Sequence, residues 1–144
     1  MRGDKQIDGF GFEFCTIGGL DASNAILNLY KKIDRKDIRA IILSGIIISL
    51  YNIIDLHWLH DHIRLPIIAI TYEDSPGIER FLRELPSAEK RLKIYYRNGK
   101  RIPIRLKNGY IVYLRTVGIT IANATEILNI YALHGRYIRT TKSR

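Results

Sequence analysis

Four groups of residues in this sequence could do chemistry. Asp21, in GGLDAS, places a carboxylate just after a glycine pair and at the head of an apolar-periodic run, where it can cap a helix or help to hold a cation. Ser44-Gly45 ends the apolar run AIIL on a hydroxyl and a glycine. The stretch KRLKIYYRNGKRIPIRLK interleaves Lys93, Arg97, Lys100 and Arg101 with Tyr95 and Tyr96, so cations for a phosphate backbone alternate with rings on which bases could stack. An edge hairpin guarded against aggregation by lysine and arginine would read the same way. Finally, HWLHDH carries His57, His60 and His62, of which the first two are one helical turn apart and could share a cation. No glutamate stands at the spacing of a zinc hydrolase motif, and imidazoles at a helix C-terminus account for the cluster equally well.

The elements that must position these residues follow from periodicity. FGFEFCTI, Phe10 to Ile17, alternates as a half-buried strand. Gly18-Gly19 turns the chain into a helix with Ala25, Ile26, Leu29 and Ile33 on one face. AIIL is apolar on both faces, as expected of a central parallel strand with helices on each side. The spacing of Leu50, Ile53, Ile54, His57 and Trp58 predicts a helix to about Ile63 that would carry both Asn52 and Asp55. LPIIAITY is a second two-faced strand, and Ser75-Pro76 opens a short helix through Phe81, Leu82 and Leu85. Asn98-Gly99, between two alternating runs, predicts a β-hairpin. YIVYLRTVG forms a further strand, and Thr120 caps a helix with Ile121, Ala124, Ile127, Leu128 and Tyr131 on its apolar face, stopped by Gly135.

Strands alternating with helices imply an α/β fold, and the late hairpin makes its sheet mixed. Ligands of such sheets bind beyond the carboxyl ends of the parallel strands, which sets Gly18 to Asp21 and Ser44-Gly45 on one rim. With 144 residues, one domain spanning residues 1–144 is expected.

Charge is divided unevenly. The net charge is +9, and the first 71 residues carry eight charges of each sign, whereas the rest carry fifteen cations against six acids. A basic half beside a neutral one favours a polyanionic partner; a well-solvated, charge-rich surface is the competing account. The single cysteine, Cys15, excludes an intrachain disulfide framework and suits a reducing compartment as a small apolar core residue. The polar start MRGDKQIDG lacks a signal-peptide apolar region, and the run Ala40 to Ile54 is too short to span a bilayer, so a cytoplasmic location without a membrane partner is expected. Gly9 and Gly11 in GFGF lack the third glycine and preceding strand of a dinucleotide fingerprint, and no P-loop is present.

IGGLDASNAI, AIILSGIIISLYNIIDLHWLH and LPIIAITY, in this order and spacing, resemble the archaeal endonuclease dU family, which is similar to endonuclease V and has a ribonuclease H-like fold. The likeness runs from about Met1 to Gly135. It implies a three-layer α/β protein, with a mixed sheet flanked by helices, and an ancestry in metal-dependent cleavage of nucleic acid containing deoxyuridine- or inosine-type lesions. By this resemblance Asp21 and Asn52 match family positions, Asp21 would hold Mg²⁺ or Mn²⁺, and Ser44 stands where a relative places an aspartate. Gly18 also stands where an acid is common. Since two hard cations need clustered carboxylates, the resemblance implies weak or absent catalysis in this chain. A noncatalytic nucleic-acid-binding or assembly module is the alternative. The family also begins with a strand bearing further aspartates, ahead of the segment matching Met1-Arg2-Gly3, and continues past the last helix with a Pro-Glu-Pro-Leu-Arg-like stretch. Loss of that central strand would leave AIIL without a neighbour unless the sheet closes differently, a second chain fills the gap in a homo-oligomer, or the reading frame starts further upstream.

Overall fold

The computed structural model of the chain describes residues 19–48, 52–71 and 78–133. The expected strand Phe10 to Ile17, with Cys15 and the GFGF glycines, lies outside these residues, as do Gly18, Ser75-Pro76, Gly135 and the basic tail.

The elements in chain order are α1 (Ala22–Ile33), β1 (Ile41–Leu43), β2 (Ile47–Ile48), β3 (Asn52–Ile53), α2 (Leu56–Ile63), β4 (Ile67–Thr71), α3 (Glu79–Arg83), α4 (Ala88–Asn98), β5 (Ile102–Arg105), β6 (Ile111–Val117) and α5 (Ile121–Leu133). Four strands form a sheet in the order β1-β4-β6-β5, with β1 parallel to β4 and the remaining pairs antiparallel. β2 and β3 pair separately as a two-stranded ribbon just after β1.

The sequence IIAIT in β4 explains the layering. Successive strand side chains alternate between faces. Ile67 and Ala69 enter a core with Leu27, Leu56, Leu59, Leu82 and Val117, against which α1 to α4 pack, while Ile68 and Ile70 enter another with Val112, Leu114, Ala124 and Leu128 of β6 and α5. A sheet apolar on both faces must be covered on both, so the molecule is a three-layer mixed α/β protein, as expected. Thr120 caps α5 as its position implied, its Oγ1 accepting from Asn123 N at 3.1 Å.

Two expectations are corrected. The helix read from Leu50 starts only at Leu56: Asn52 and Ile53 are strand residues paired with Ile48 and Ile47. Asp55 is the cap that decides this boundary, since its Oδ1 accepts from Trp58 N at 3.1 Å. The hairpin read at Asn98-Gly99 is instead the end of a helix. Arg91 and Asn98, two turns apart, are buried while Leu92, Ile94 and Tyr95 pack on the core, and Gly99, at φ +83°, terminates α4. The β5–β6 hairpin is made by the other Asn-Gly pair, Asn108-Gly109, where Gly109 N donates to Leu106 O at 2.9 Å and Asn108 Oδ1 accepts from Tyr110 N at 3.0 Å. Among the described residues β1 stands at the end of the strand order, and Ile42, level with Ile68 on the α5 face, is 39% exposed; the expected strand Phe10 to Ile17 lies outside those residues.

Candidate nucleic-acid interface and the rim beside it

The rim is built around Asn52. Helix α1 begins after Asp21, but the Asp21 carboxylate makes no capping bond of its own. Asn52, fully buried in β3, reaches across: its Oδ1 accepts from Ala22 N at 2.9 Å, and its Nδ2 donates to Asp21 Oδ1 at 2.7 Å. A helix N-terminus leaves backbone donors unpaired, and here an amide from a distant strand supplies the acceptor. The purely capping role open to Asp21 is thus corrected: Asn52 does the capping and Asp21 orients Asn52.

The same seam continues along the molecule. Ser23 Oγ accepts from Asp55 N at 2.7 Å, Asn98 Oδ1 from Leu56 N at 2.9 Å, and Asn98 Nδ2 donates to Ile54 O at 2.8 Å. Arg97 pairs with Asp55, and Arg91 Nη1 donates to Gly19 O at 3.0 Å. The start of α1, the β3–α2 connection and the C-terminal half of α4 are therefore tied by buried polar groups rather than by apolar contact alone.

Ser44 is exposed at the carboxyl end of β1, and Gly45 after it is buried at φ +89°, where a Cβ would meet Thr71 Cγ2 at 3.5 Å. The cation donors that the resemblance assigns are thus one carboxylate, whose Oδ1 already accepts from Asn52, and one neutral hydroxyl. That donor set does not fit a pair of Mg²⁺ or Mn²⁺ ions, which need several carboxylate oxygens. In the histidine group, His60 Nδ1 lies 2.9 Å from Leu65 O and His62 Nδ1 2.8 Å from Trp58 O, so each donates from Nδ1 to a backbone carbonyl near the end of α2. His57 is exposed.

A separate groove of about 610 Å³ opens between α4 and the β5–β6 hairpin. Of the six residues expected to bind nucleic acid, Tyr95, Tyr96, Lys100 and Arg101 line it. Lys93 is exposed on α4 without lining it, and Arg97 turns to Asp55. The ribbon expected here is a helix end facing a strand pair. Tyr113 and Arg115 complete the wall, and sequence reading missed both, although the alternation in YIVYLRTVG sets them on one face. Arg101 lies over the Tyr113 ring with its guanidinium carbon 5.3 Å from the centroid, and Arg115 over Tyr95 at 5.8 Å. Arg115 is only 8% exposed, and its Nε donates to Gly99 O at 2.9 Å. Burial lowers its pKa, the Tyr95 hydroxyl raises it and the Arg101 cation lowers it again. At the mouth, Glu79 accepts from the Tyr96 hydroxyl, which raises the tyrosine's pKa.

Fold and site together define a three-layer mixed α/β protein whose rim carries Asp21 beside Asn52, with a basic, tyrosine-lined groove on the α4 side. The chain belongs to the Endonuclease dU family, whose model matches residues 1–138. A UPF0215 protein of Methanosarcina barkeri is 32% identical over 138 residues, covering 92% of this chain and 70% of the relative. Another, from Pyrobaculum calidifontis, is 29% identical, covering 94% of this chain and 76% of the relative. A crystal structure of a protein of unknown function from Archaeoglobus fulgidus superposes with a TM-score of 0.71 at 25% identity, over 88% of this chain and 69% of that one.

Proposed function

We propose that this chain is a nucleic-acid-binding protein of the cytoplasm, endonuclease V-like in ancestry, with weak or no cleavage of its own. The observation that carries the reading is the contrast between its two polar regions. Among the described residues, the groove gathers Lys100, Arg101 and Arg115 with three tyrosine rings against one carboxylate, Glu79, which is engaged by Tyr96 and lies 3.6 Å from Arg83. Such a surface suits phosphates and unstacked bases. At the rim, by contrast, Asp21 and Asn52 are spent on anchoring α1, and the residue at position 44 is a serine.

Among the described residues no helix is long and apolar enough to cross a membrane. The test is fluorescence anisotropy with single- and double-stranded oligonucleotides, with and without deoxyuridine or inosine, at several salt concentrations and with Mn²⁺ or chelator. Binding that falls steeply with salt and ignores the metal is expected, because it rests on phosphate neutralisation. Efficient Mn²⁺-dependent cleavage, or no binding at low salt, would overturn the reading.

A further inference from the structure

Tyr96 is 55% exposed, and it lines the groove between α4 and the β5–β6 hairpin. An exposed side chain ordinarily moves among rotamers, but its neighbours hold this one. Its hydroxyl donates to Glu79 in the first turn of α3, which ties the tip of the ring to a second helix. Tyr95 meets it edge to face, with centroids 5.7 Å apart and planes inclined at 62°. Tyr95 in turn packs on the core and lies beneath Arg115, whose Nε donates to Gly99 O at 2.9 Å and so fixes the end of α4 against β6. A ring held this way has already lost its side-chain entropy on folding, so a ligand that stacks on it need not order it again. The other two rings of the groove are placed differently: Arg115 lies over Tyr95 and Arg101 over Tyr113, and both tyrosines are half-buried.

We propose that Tyr96 is a stacking platform for one unpaired base, and that the groove therefore selects single-stranded over duplex nucleic acid. This assignment deepens the nucleic-acid reading and rests on it. In a duplex each base face is covered by its neighbours in the stack, so a protein ring meets a base face to face only where the strand is unpaired or splayed. The groove, at about 610 Å³, is of a size for one such nucleotide. Glu79 acts in the same sense, since a carboxylate beside the ring favours a neutral base over a phosphate at that end of the groove.

Anisotropy titrations of the whole chain with one labelled strand, and with the same strand annealed to its complement, in DNA and RNA versions, test this. The single strand should bind more tightly than the duplex. Tyr96→Ala should weaken single-strand binding by at least about fivefold, the lower end for losing one base–ring stack, while duplex affinity and salt dependence stay unchanged because no phosphate contact is removed. Tyr96→Trp should retain the affinity, and Tyr96→Phe, which keeps the ring but loses the bond to Glu79, should fall between. Tyr110→Ala on the β5–β6 hairpin, equally exposed and not lining the groove, is the matched control. Circular dichroism confirms folding, and Tyr96→Leu, which keeps bulk without the ring, serves if Tyr96→Ala does not fold. Selectivity that Tyr96→Ala abolishes supports the proposal in either chemistry, and the tighter of the DNA and RNA strands identifies the polymer. Equal affinity for strand and duplex, or an unaltered strand affinity in Tyr96→Ala, overturns the platform and leaves the nucleic-acid reading standing. Equal losses for strand and duplex in Tyr96→Ala mark a structural role and also overturn it. Binding of neither strand nor duplex overturns both readings.

Discussion

Asn52→Ala removes both bonds that hold the start of α1. Asn52 is fully buried, and so is Ala22, whose N–H it accepts. The neutral bond to Ala22 contributes about 1 kcal/mol and the charge-assisted bond to Asp21 about 1.5–3 kcal/mol, and the Ala22 donor is left buried without an acceptor. Together with a small cavity, the loss should be about 3–5 kcal/mol, within the usual range for breaking a buried polar network. A domain of this size is stable by only about 5–15 kcal/mol, so the variant should sit near its unfolding threshold. Urea denaturation followed by circular dichroism measures this as a fall in midpoint at unchanged slope. Asn52→Asp provides a second reading of the same contact. It keeps an acceptor for Ala22 but sets a buried carboxyl against Asp21, which raises its pKa above the unfolded value. The ionised form is then disfavoured by folding, so the penalty is present at neutral pH and is relieved as pH falls through that raised pKa. A cost below about 1 kcal/mol for Asn52→Ala, or no recovery of Asn52→Asp in acid, would refute the view that this amide organises the rim.

Further expectations concern other contacts. Ser44→Asp should raise Mn²⁺ affinity over the unmodified chain in paramagnetic resonance titrations, and Asp21→Asn should cancel that gain while costing only about 1 kcal/mol of stability through lost charge assistance. Gly118→Ala should destabilise by about 1–3 kcal/mol, since a Cβ there would lie 2.4 Å from His60 Cε1 at φ +79°; adding His60→Ala should relieve the clash but leave the backbone strain. Asp37, hydrogen-bonded to Arg35, should titrate below the ordinary aspartate value in nuclear magnetic resonance. The small stabilisation it brings is present above the unfolded pKa and lost as pH falls through the folded one, and Arg35→Ala should abolish it. Light scattering at two protein concentrations checks the expected homo-oligomer.

Local patterns in the sequence sufficed where one period and one cap agreed. IIAIT, apolar at every position but the last, could only be a strand covered on both faces, and Thr120 ahead of an apolar stripe could only be a helix cap. Those signals determined the α/β layering, while the family resemblance rested on the order and spacing of IGGLDASNAI, AIILSGIIISLYNIIDLHWLH and LPIIAITY. They failed where two local readings were close in free energy. RLKIYYRN suits a strand or a helix, and the chain holds two Asn-Gly pairs; tertiary burial of Arg91, Leu92 and Tyr95 made the first the end of α4 and left the hairpin to Asn108-Gly109. Likewise, nothing near Asn52 announces that its amide will cap a helix thirty residues upstream, because that bond exists only once β3 lies against α1. Arg115 was invisible as a site residue for the same reason. Its neighbours Tyr95, Gly99 and Arg101 reach it through packing, and a buried charge acquires its meaning from what surrounds it in space rather than in sequence.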